Sequence, residues 1–254
     1  MRKIGLVIPT RWDSERLPGK VLIDINGKPN LQRIIERALN SKYIKTIILA
    51  ISEENGKEII NWYEKYNKNI TFLDKKLFTY TGSHDNIFKR TLNASIFYDI
   101  DIIIDTSHCC SLFDPFIADI LIDKLLEYNA DYSSNVITRS FPDGFDIQVY
   151  TRKIYEKVYM EGLHWNQYWT GWNIFHCREE LDIKPRIINW QVGSKYYYPE
   201  WRLTLDTIED LKLINEIYKH FEGINFQYAE VIDFIKQNKN LLEINKNIKS
   251  TRLK

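Results

Sequence analysis

Short apolar runs alternate with stretches of helical periodicity in the N-terminal part of the chain. Residues 3–9 and 45–51 are continuous apolar runs rich in β-branched side chains, as expected for strands buried on both faces. Between them, residues 30–40 carry apolar side chains three and four positions apart, which predicts a helix. Strands that alternate with helices form βαβ units, so the sequence predicts an α/β fold with a mostly parallel central sheet flanked by helices.

Length, charge and cysteine usage limit the possible partners. The 254 residues suffice for one large domain. The 35 basic and 34 acidic side chains nearly cancel, so neither nucleic acid nor an anionic membrane is expected as a partner. No apolar run reaches the roughly 18 residues of a membrane span, and no signal-peptide core is seen, so we expect a cytoplasmic protein. The three cysteines lack C-x-x-C spacing and are expected to be free thiols.

The first predicted strand leads into a loop that carries three cations. Arg11, Arg16 and Lys20 accompany a Pro18-Gly19 turn within residues 8–20. Arginine binds phosphate oxygens with two N–H groups, lysine adds a point charge, and glycine lets backbone N–H groups approach a ligand. The loop is either a solvated surface turn or a polyphosphate site, and in both cases its cations are expected to be exposed.

This loop resembles the signature of nucleotidyltransferases that activate sugars and sugar acids, particularly the cytidylyltransferases of bacterial surface polysaccharides. That group includes the CMP-sialic acid and CMP-Kdo synthetases and the spore coat polysaccharide cytidylyltransferases. Their pattern I-P-A-R-x-x-S-x-R-L-P-G-K, followed by I-x-G-K-P, is matched at Ile8, Pro9, Arg11, Ser14, residues 16–20, Ile25 and residues 27–29. The resemblance implies a Rossmann-like (GT-A-like) nucleotidyltransferase fold, CTP as donor, a small phosphorylated or carboxylated acceptor, and Mg²⁺ as cofactor.

The same resemblance implies roles for residues of the loop. Pro9, Thr10 and Arg11 are predicted to bind the nucleotide. Arg11, Arg16 and Lys20 are predicted to act in catalysis by holding the triphosphate and the leaving pyrophosphate.

A polar segment at residues 79–86 leads into a helix that is predicted to end near Phe97. Ser83 or Asp85 is predicted to be its N-cap, and a helix N-terminus can also bind an anionic ligand. The segment resembles the G-S-x-D segment that faces the nucleotide in the spore coat enzymes. This resemblance implies nucleotide-binding roles for Ser83, Asp85 and Asn86.

The segment after the strand that ends at Asp105 departs from the family. There the family reads T-G-D-C-P-L-I-D-P, its first aspartate binds the catalytic magnesium, and Cys109 stands at that position here. A thiol is a poor ligand for Mg²⁺. Asp105 could replace the aspartate if the backbone shifts, or the metal could sit mainly on the phosphates. His108, Cys109 and Cys110 also leave open a zinc site or a Cys–His nucleophile pair.

Residues 202–211 resemble the family pattern R-x-T-[VL]-D-T-x-E-D-L. At the position of Asp206 the family has its other magnesium ligand. Thr207 and Asp210 fit a capping box at the start of a helix with an apolar face. A last helix is predicted at residues 228–236, followed by a Lys/Asn-rich tail that we expect to be solvated.

Two segments within residues 130–200 are predicted to border the acceptor site and a possible homodimer contact. Residues 141–150 resemble F-P-D-G-L-D-V-E-V of the spore coat enzymes, which implies acceptor roles for Asp143 and Asp146, although Pro-Asp-Gly alone is only a turn signal. The family pattern R-E-H-V-T-P-Y is matched only at His164 and Tyr168, which implies acceptor roles for these two residues. The aromatic stretch around them fits a dimer interface or a core patch as well as it fits an acceptor site. Arg202 completes the predicted acceptor set.

The sequence therefore predicts a nucleotidyltransferase domain at residues 1–223 and a C-terminal helix and tail at residues 224–254. Gln148, Gly162 and Leu163 replace residues of the family pattern, which favours an acceptor other than the usual sugar or sugar acid, such as a phosphorylated glutamine used in capsule biosynthesis. Use of another triphosphate, and loss of catalysis because of Cys109, are alternatives. A dinucleotide-dependent oxidoreductase is disfavoured because no G-x-G-x-x-G follows the first strand.

Overall fold

The computed structural model describes residues 2–68, 75–163, 166–168, 170–223 and 225–249. Among these residues, one seven-stranded sheet has the order β5-β4-β1-β6-β8-β7-β9, and β2 and β3 form a separate hairpin. The strands are β1 (Ile4–Thr10), β2 (Asp24–Ile25), β3 (Lys28–Pro29), β4 (Thr46–Ser52), β5 (Lys76–Gly82), β6 (Ile102–Asp105), β7 (Tyr132–Ser134), β8 (Gln148–Thr151) and β9 (Ile187–Asn189). Strands β5, β4, β1 and β6 are parallel, β8 is antiparallel to both β6 and β7, and β9 is parallel to β7.

Helices cover both faces of the sheet, which confirms the predicted α/β class. They are α1 (Asn30–Ala38), α2 (Lys57–Lys68), α3 (Ile87–Phe97), α4 (Pro115–Glu127), α5 (Arg152–Met160), α6 (Trp172–His176), α7 (Ile208–Phe221) and α8 (Tyr228–Gln237). One core includes side chains of α1, α2, α4, α7 and α8, and a second includes side chains of α3, α5 and α6. No described helix is long and apolar enough to cross a membrane.

Successive side chains of each strand enter opposite cores, as the two-residue period of a strand requires. Along β6, Ile102 and Ile104 pack in the first core and Ile103 in the second. The side chain of Asp105, next in this alternation, lies on the α3, α5 and α6 side of the sheet, where Tyr150 donates to its carboxylate.

Strand positions are harder to predict from the sequence than helices. Residues 70–73 form a short, mostly apolar run that predicts a strand, and they lie outside the described residues. Strand β5 takes up residues 79–82, which the sequence analysis placed in a polar segment, because the pairing with β4 continues without interruption from Thr46↔Lys76 to Ser52↔Gly82. Residues 195–198 also read as strand-like in the sequence, but they include part of a 3₁₀ helix at Ser194–Tyr196.

The residues after α8 pack on the domain, and the prediction of a solvated tail directly after this helix is wrong as far as residue 245. Val231, Ile232 and Ile235 of α8 belong to the same core as β1 and β4. Lys239–Ile244 then form a 3₁₀ helix. Asn245 is only 4% exposed and donates to Arg202 O and to Asp210 Oδ1. These side-chain bonds fix the segment although its composition is polar.

Candidate active site

The loop after β1 contacts the residues just before α7 through ion pairs to Asp206. Lys20 Nζ donates to Asp206 Oδ1 over 2.6 Å, and Arg16 Nη2 lies 3.0 Å from Oδ2. Burial would raise the pKa of Asp206, but the charges of Lys20, Arg16 and Arg202 hold it below its ordinary value. The expectation of exposed cations is wrong for Lys20, which is 8% exposed, whereas the Arg11 and Arg16 side chains are about one-third exposed. The structure thus joins two predicted triphosphate ligands to the predicted metal carboxylate.

The shape of this loop is set by its own hydrogen bonds. Pro9 and Thr10 end β1 as buried residues. Gly19 N donates to Trp12 O over 2.9 Å, and Trp12 N donates to Asn55 Oδ1 over 3.2 Å. Gly19 has φ of +71°, and the Trp12 ring lies 3.1 Å from the position that a Cβ would take. A side chain at residue 19 would therefore both strain the backbone and crowd the ring.

Arg202 links Asp206 to the predicted acceptor residues. Its Nε and Nη2 donate to the two oxygens of Asp210 over 2.9 and 2.7 Å, and Nη2 also lies 3.3 Å from Asp206 Oδ2. Its Nη1 lies 3.6 Å from Asp143 Oδ2. The predicted capping box of Thr207 and Asp210 is present at the start of α7. Asp143 and Arg202 therefore lie beside the predicted metal carboxylate.

The Pro-Asp-Gly turn packs against the strand-like residues before Asp206. Gly144 has φ of +107°, and a Cβ there would lie 2.2 Å from Leu203 O, so only glycine fits. Leu203 N donates to Asp143 O over 2.7 Å. Asp146 instead accepts two hydrogen bonds from Arg139 over 2.7 and 2.8 Å, so it forms a separate ion pair.

The second predicted acceptor segment is described only in part. His164 lies outside the described residues. Tyr168 is 60% exposed, and its backbone N donates to Asn166 Oδ1. Phe88 N, in the first turn of α3, donates to Gln167 O over 3.1 Å. This contact places residues 166–168 beside the segment that was predicted to bind the nucleotide.

The N-cap of α3 is Asn86, so the prediction of Ser83 or Asp85 is wrong. Its Oδ1 accepts from Lys89 N over 2.7 Å. Ser83 Oγ accepts from Asn86 N instead, and Asp85 is exposed. The helix begins one residue later than expected because Gly82 ends β5, which leaves residues 83–86 to make the turn.

Arg90, which the sequence analysis missed, supports this turn from inside. It is 1% exposed, and its Nε donates to Ala50 O over 3.1 Å, while Nη1 donates to Ser83 O and to His84 O. His84 Nε2 in turn lies 3.3 Å from Asp13 Oδ2 in the loop after β1. A buried guanidinium thus links the end of β4 to the predicted nucleotide segment. No motif in the sequence marks Arg90 for this role.

Asp105, the second predicted metal ligand, is directed away from the ion-pair cluster. Its Oδ2 accepts from Thr170 Oγ1, from Gly171 N over 3.3 Å and from Tyr150 OH over 3.3 Å. Burial raises its pKa to about 6, although these hydrogen bonds act in the opposite direction. Within the described residues, no contact joins Asp105 to Asp206. Asp105 anchors the segment at residues 170–171.

Cys109, at the position of the family's aspartate, contacts the segment before Asp206 through its backbone. Cys109 O accepts from Leu205 N over 2.9 Å, and Sγ lies 3.1 Å from Ser107 Oγ. The neighbouring Cys110 thiol lowers the pKa of Cys109 below its ordinary value. No group of three His, Cys, Asp or Glu residues that could hold a metal occurs in the described part of the chain, so the zinc alternative has no support.

Asn30, also missed from the sequence, connects the two loops of the site. Its Nδ2 donates to Lys20 O over 3.2 Å and to His108 O over 2.7 Å. His108 Nδ1 lies 3.0 Å from Pro9 O. Burial, followed by the charge of Lys20, lowers the pKa of His108 to about 3, so the imidazole is neutral. The loops after β1 and β6 are therefore held together by buried hydrogen bonds.

The cytidylyltransferase family model matches residues 6–248. The chain belongs to the cytidylyltransferase family. It is therefore an enzyme of the nucleotidyltransferase class, as the loop at residues 8–20 predicted, and the resemblance to this family is confirmed.

Three similar proteins illustrate the relationship. A solved cytidylyltransferase from Leptospira borgpetersenii is 26% identical, with a TM-score of 0.82 and full coverage of both chains. A 3-deoxy-manno-octulosonate cytidylyltransferase of Blochmanniella floridana is 28% identical over 91% of this chain and 90% of its own. An uncharacterized protein of Methanocaldococcus jannaschii is 29% identical over 98% of this chain and 96% of its own. The family thus extends over nearly the whole of this cytidylyltransferase.

Proposed function

We propose that this cytidylyltransferase transfers CMP from CTP to a small acidic acceptor and releases pyrophosphate. The observation that carries the proposal is the convergence of Lys20 and Arg16 on Asp206 at the C-terminal edge of β1. Loops at this edge of a parallel sheet bind ligands in α/β proteins. Two cations on one glycine-containing loop fit the oxygens of a triphosphate.

In the proposed reaction, an acceptor oxygen attacks the α-phosphorus of CTP. One P–O bond forms to the acceptor as the bond to the leaving pyrophosphate breaks in line. Arg11, Arg16 and Lys20 bind the phosphate oxygens and stabilise the charge that develops on the leaving group. An acceptor phosphate is already an anion, so no general base is required and positioning supplies most of the catalysis.

A divalent cation, Mg²⁺ by resemblance to the family, is the proposed cofactor. The residues present fit it in part, because Asp206 is an ionised carboxylate beside the proposed phosphate ligands. Such a cation would neutralise charge on the phosphates. Cys109 supplies no carboxylate, so the phosphate oxygens would provide most of the remaining ligands.

The acceptor is proposed to carry a carboxylate or phosphate group. Arg202 and Asp143 lie beside Asp206, where such a group would approach the α-phosphorus. The name of the Blochmanniella floridana relative supports a sugar acid. The departures at Gln148, Gly162 and Leu163 favour a different small molecule, for which phosphorylated glutamine in capsule biosynthesis is our specific candidate. The expected homodimer stays a prediction, which sedimentation analysis would measure.

A pyrophosphate-release assay tests the donor and the acceptor together. CTP, UTP, GTP and ATP would each be offered with 3-deoxy-manno-octulosonate, phosphorylated glutamine and a panel of other phosphorylated or carboxylated small molecules. We expect turnover with CTP that Lys20→Ala abolishes and that Lys42→Ala, which removes an exposed cation paired with Asp123, leaves intact. Faster turnover with another triphosphate would refute the donor assignment.

A further inference from the structure

His108 has one ring nitrogen without a partner beside the candidate active site. The residue is 8% exposed, and Nδ1 lies 3.0 Å from Pro9 O. A carbonyl oxygen only accepts hydrogen bonds, so Nδ1 carries the proton and Nε2 presents a lone pair. Nε2 is buried and has no hydrogen-bond partner among the described residues. Such a group costs free energy in a folded protein, which suggests that a ligand completes it.

Several contacts fix this imidazole next to Asp206. Asn30 Nδ2 holds His108 O at 2.7 Å and Lys20 O at 3.2 Å. The next residue, Cys109, accepts from the backbone N of the residue before Asp206. Lys20 in turn donates from Nζ to Asp206 Oδ1 over 2.6 Å. The ring is therefore held in place at the site where the triphosphate and its cation are proposed to bind.

The hydrogen-bonding pattern of His108 is that of a metal ligand. Histidines that bind metals use one ring nitrogen and donate the other N–H to a carboxylate or a backbone carbonyl, which fixes the tautomer and the ring orientation. The Nδ1–H of His108 makes this bond to Pro9 O. The thiol of Cys109 is hydrogen-bonded to Ser107 instead.

We propose that His108 Nε2 and Asp206 together bind the divalent cation that accompanies CTP, and that the site binds Mn²⁺ more tightly than Mg²⁺. The inference rests on the proposed function, because the triphosphate must supply the other ligands. His108 takes over the role that a second carboxylate has in the family pattern. Divalent ions of the first transition row bind imidazole nitrogen with an affinity that rises from Mn²⁺ onward, whereas Mg²⁺ prefers oxygen.

Lys20 explains why the cation is expected only together with the nucleotide. Its ammonium group lies 2.6 Å from Asp206 Oδ1, so it competes with a divalent cation for the same carboxylate. Transfer of Lys20 to the phosphates would free Oδ1 of Asp206, while Arg16 and Arg202 stay on Oδ2. The described residues contain no third carboxylate, histidine or cysteine that completes a metal-binding group. Mn²⁺ is therefore expected to bind weakly without CTP.

Electron spin-echo envelope modulation on Mn²⁺ tests the proposal with a readout that is independent of turnover. The full chain would be loaded with Mn²⁺ and CTP without acceptor. We expect modulation from a nitrogen nucleus that changes when the protein is labelled with ¹⁵N-histidine. The label distinguishes a histidine nitrogen from the nitrogens of the cytosine ring. The modulation should vanish in His108→Asn and persist in His220→Ala, whose histidine is exposed on α7.

Measurements of Mn²⁺ and Mg²⁺ affinity are the second test. His108→Asn should weaken Mn²⁺ binding to the CTP complex at least about tenfold, the loss that even removal of a ligand's hydrogen-bond partner produces, while Mg²⁺ binding changes less. If the His108→Asn variant does not fold, the spin-echo measurement on the ¹⁵N-histidine-labelled wild-type enzyme still tests the proposal. A wild-type complex that binds CTP and transfers CMP but shows no histidine modulation would overturn the inference and leave the proposed function intact. Failure to bind CTP would overturn both.

Discussion

Asp206 shares its two oxygens among three cations, and its side chain is only 13% exposed. Removing one member of a shielded ion pair leaves the other charges without compensation. Its neighbour Cys109 has no comparable role, because its thiol contacts Ser107 and its backbone makes the bond to Leu205. Asp206 and Cys109 stand at the two positions where the family pattern has its magnesium ligands. They should therefore respond differently to substitution.

Asp206→Asn should lower turnover by about two to three orders of magnitude, the loss typical of a charge-stabilising group, because a neutral amide neither holds a cation nor orients Lys20. Cys109→Ser should retain most of the activity. Pyrophosphate release against metal concentration measures both variants, with thermal unfolding as the control for folding. A Cys109→Ser enzyme that folds and binds CTP but does not turn over would indicate thiol catalysis.

Asp105→Asn should change the pH dependence of stability. Burial raises the pKa of Asp105 to about 6 from an ordinary 3.8, so the folded state binds this proton more tightly than the unfolded state does. The resulting stabilisation is complete below about pH 4 and is lost as the pH rises through about 6. A shift of this size corresponds to roughly 3 kcal/mol at most.

The side chain of the Asp105→Asn variant does not titrate. As the pH rises from 4 to 6, the variant should therefore gain stability relative to the wild type. Urea unfolding at several pH values measures the difference in the free energy of unfolding. A constant difference across this range would mean that Asp105 is ionised throughout.

Helix α3 shows at the scale of one element what the sequence can and cannot decide. Ser, Asp and Asn are all good N-caps, so residues 83, 85 and 86 were nearly equivalent in the sequence. The choice depends on where β5 ends, and this follows from the pairing of Ser52 with Gly82 across the sheet. In contrast, the sequence alone identifies Asp114 as the N-cap of α4, because Pro115 follows it at the first helical position.

Asn86→Ala should lower the free energy of unfolding by about 1 kcal/mol, the usual cost of removing a cap. Asp85→Ala, at an exposed neighbour that caps nothing, should change it by less than about 0.5 kcal/mol. Chemical denaturation of both variants makes the comparison. A larger loss of stability for Asp85→Ala than for Asn86→Ala would show that Asp85 is the N-cap, as the sequence predicted.

At the scale of the whole molecule, the N-terminal half was predictable because its strands are apolar and its helices periodic. A motif names both Lys20 and Asp206, and the structure joins them in an ion pair. Contacts between distant segments were not predictable, since nothing local in the sequence pairs Asn30 with His108 or Arg90 with Ala50. The polar C-terminal segment is the largest region whose contacts the sequence did not predict, because its composition is that of a solvated tail.

Asn245→Ala tests whether that segment is part of the fold. The side chain donates to Arg202 O over 3.0 Å and to Asp210 Oδ1 over 2.9 Å, so its removal should cost about 1–3 kcal/mol. Lys246→Ala is the matched control, because its ion pair with Glu243 is exposed and should contribute under about 1 kcal/mol. Equal melting temperatures for the two variants would show that the segment does not support Arg202.

The reversed direction of β8 decides which residues lie beside Arg202 and Asp206. Gln148 begins β8 opposite Asp105, the last residue of β6, so the chain enters β8 at the edge where the loop after β1 emerges. The turn before β8 therefore delivers Asp143 to Arg202. With β8 parallel to β6, the same turn would lie at the other end of this four-residue strand, about 13 Å away. One inverted strand thus brings the Pro-Asp-Gly turn to the edge of the sheet where Lys20 and Asp206 form their ion pair.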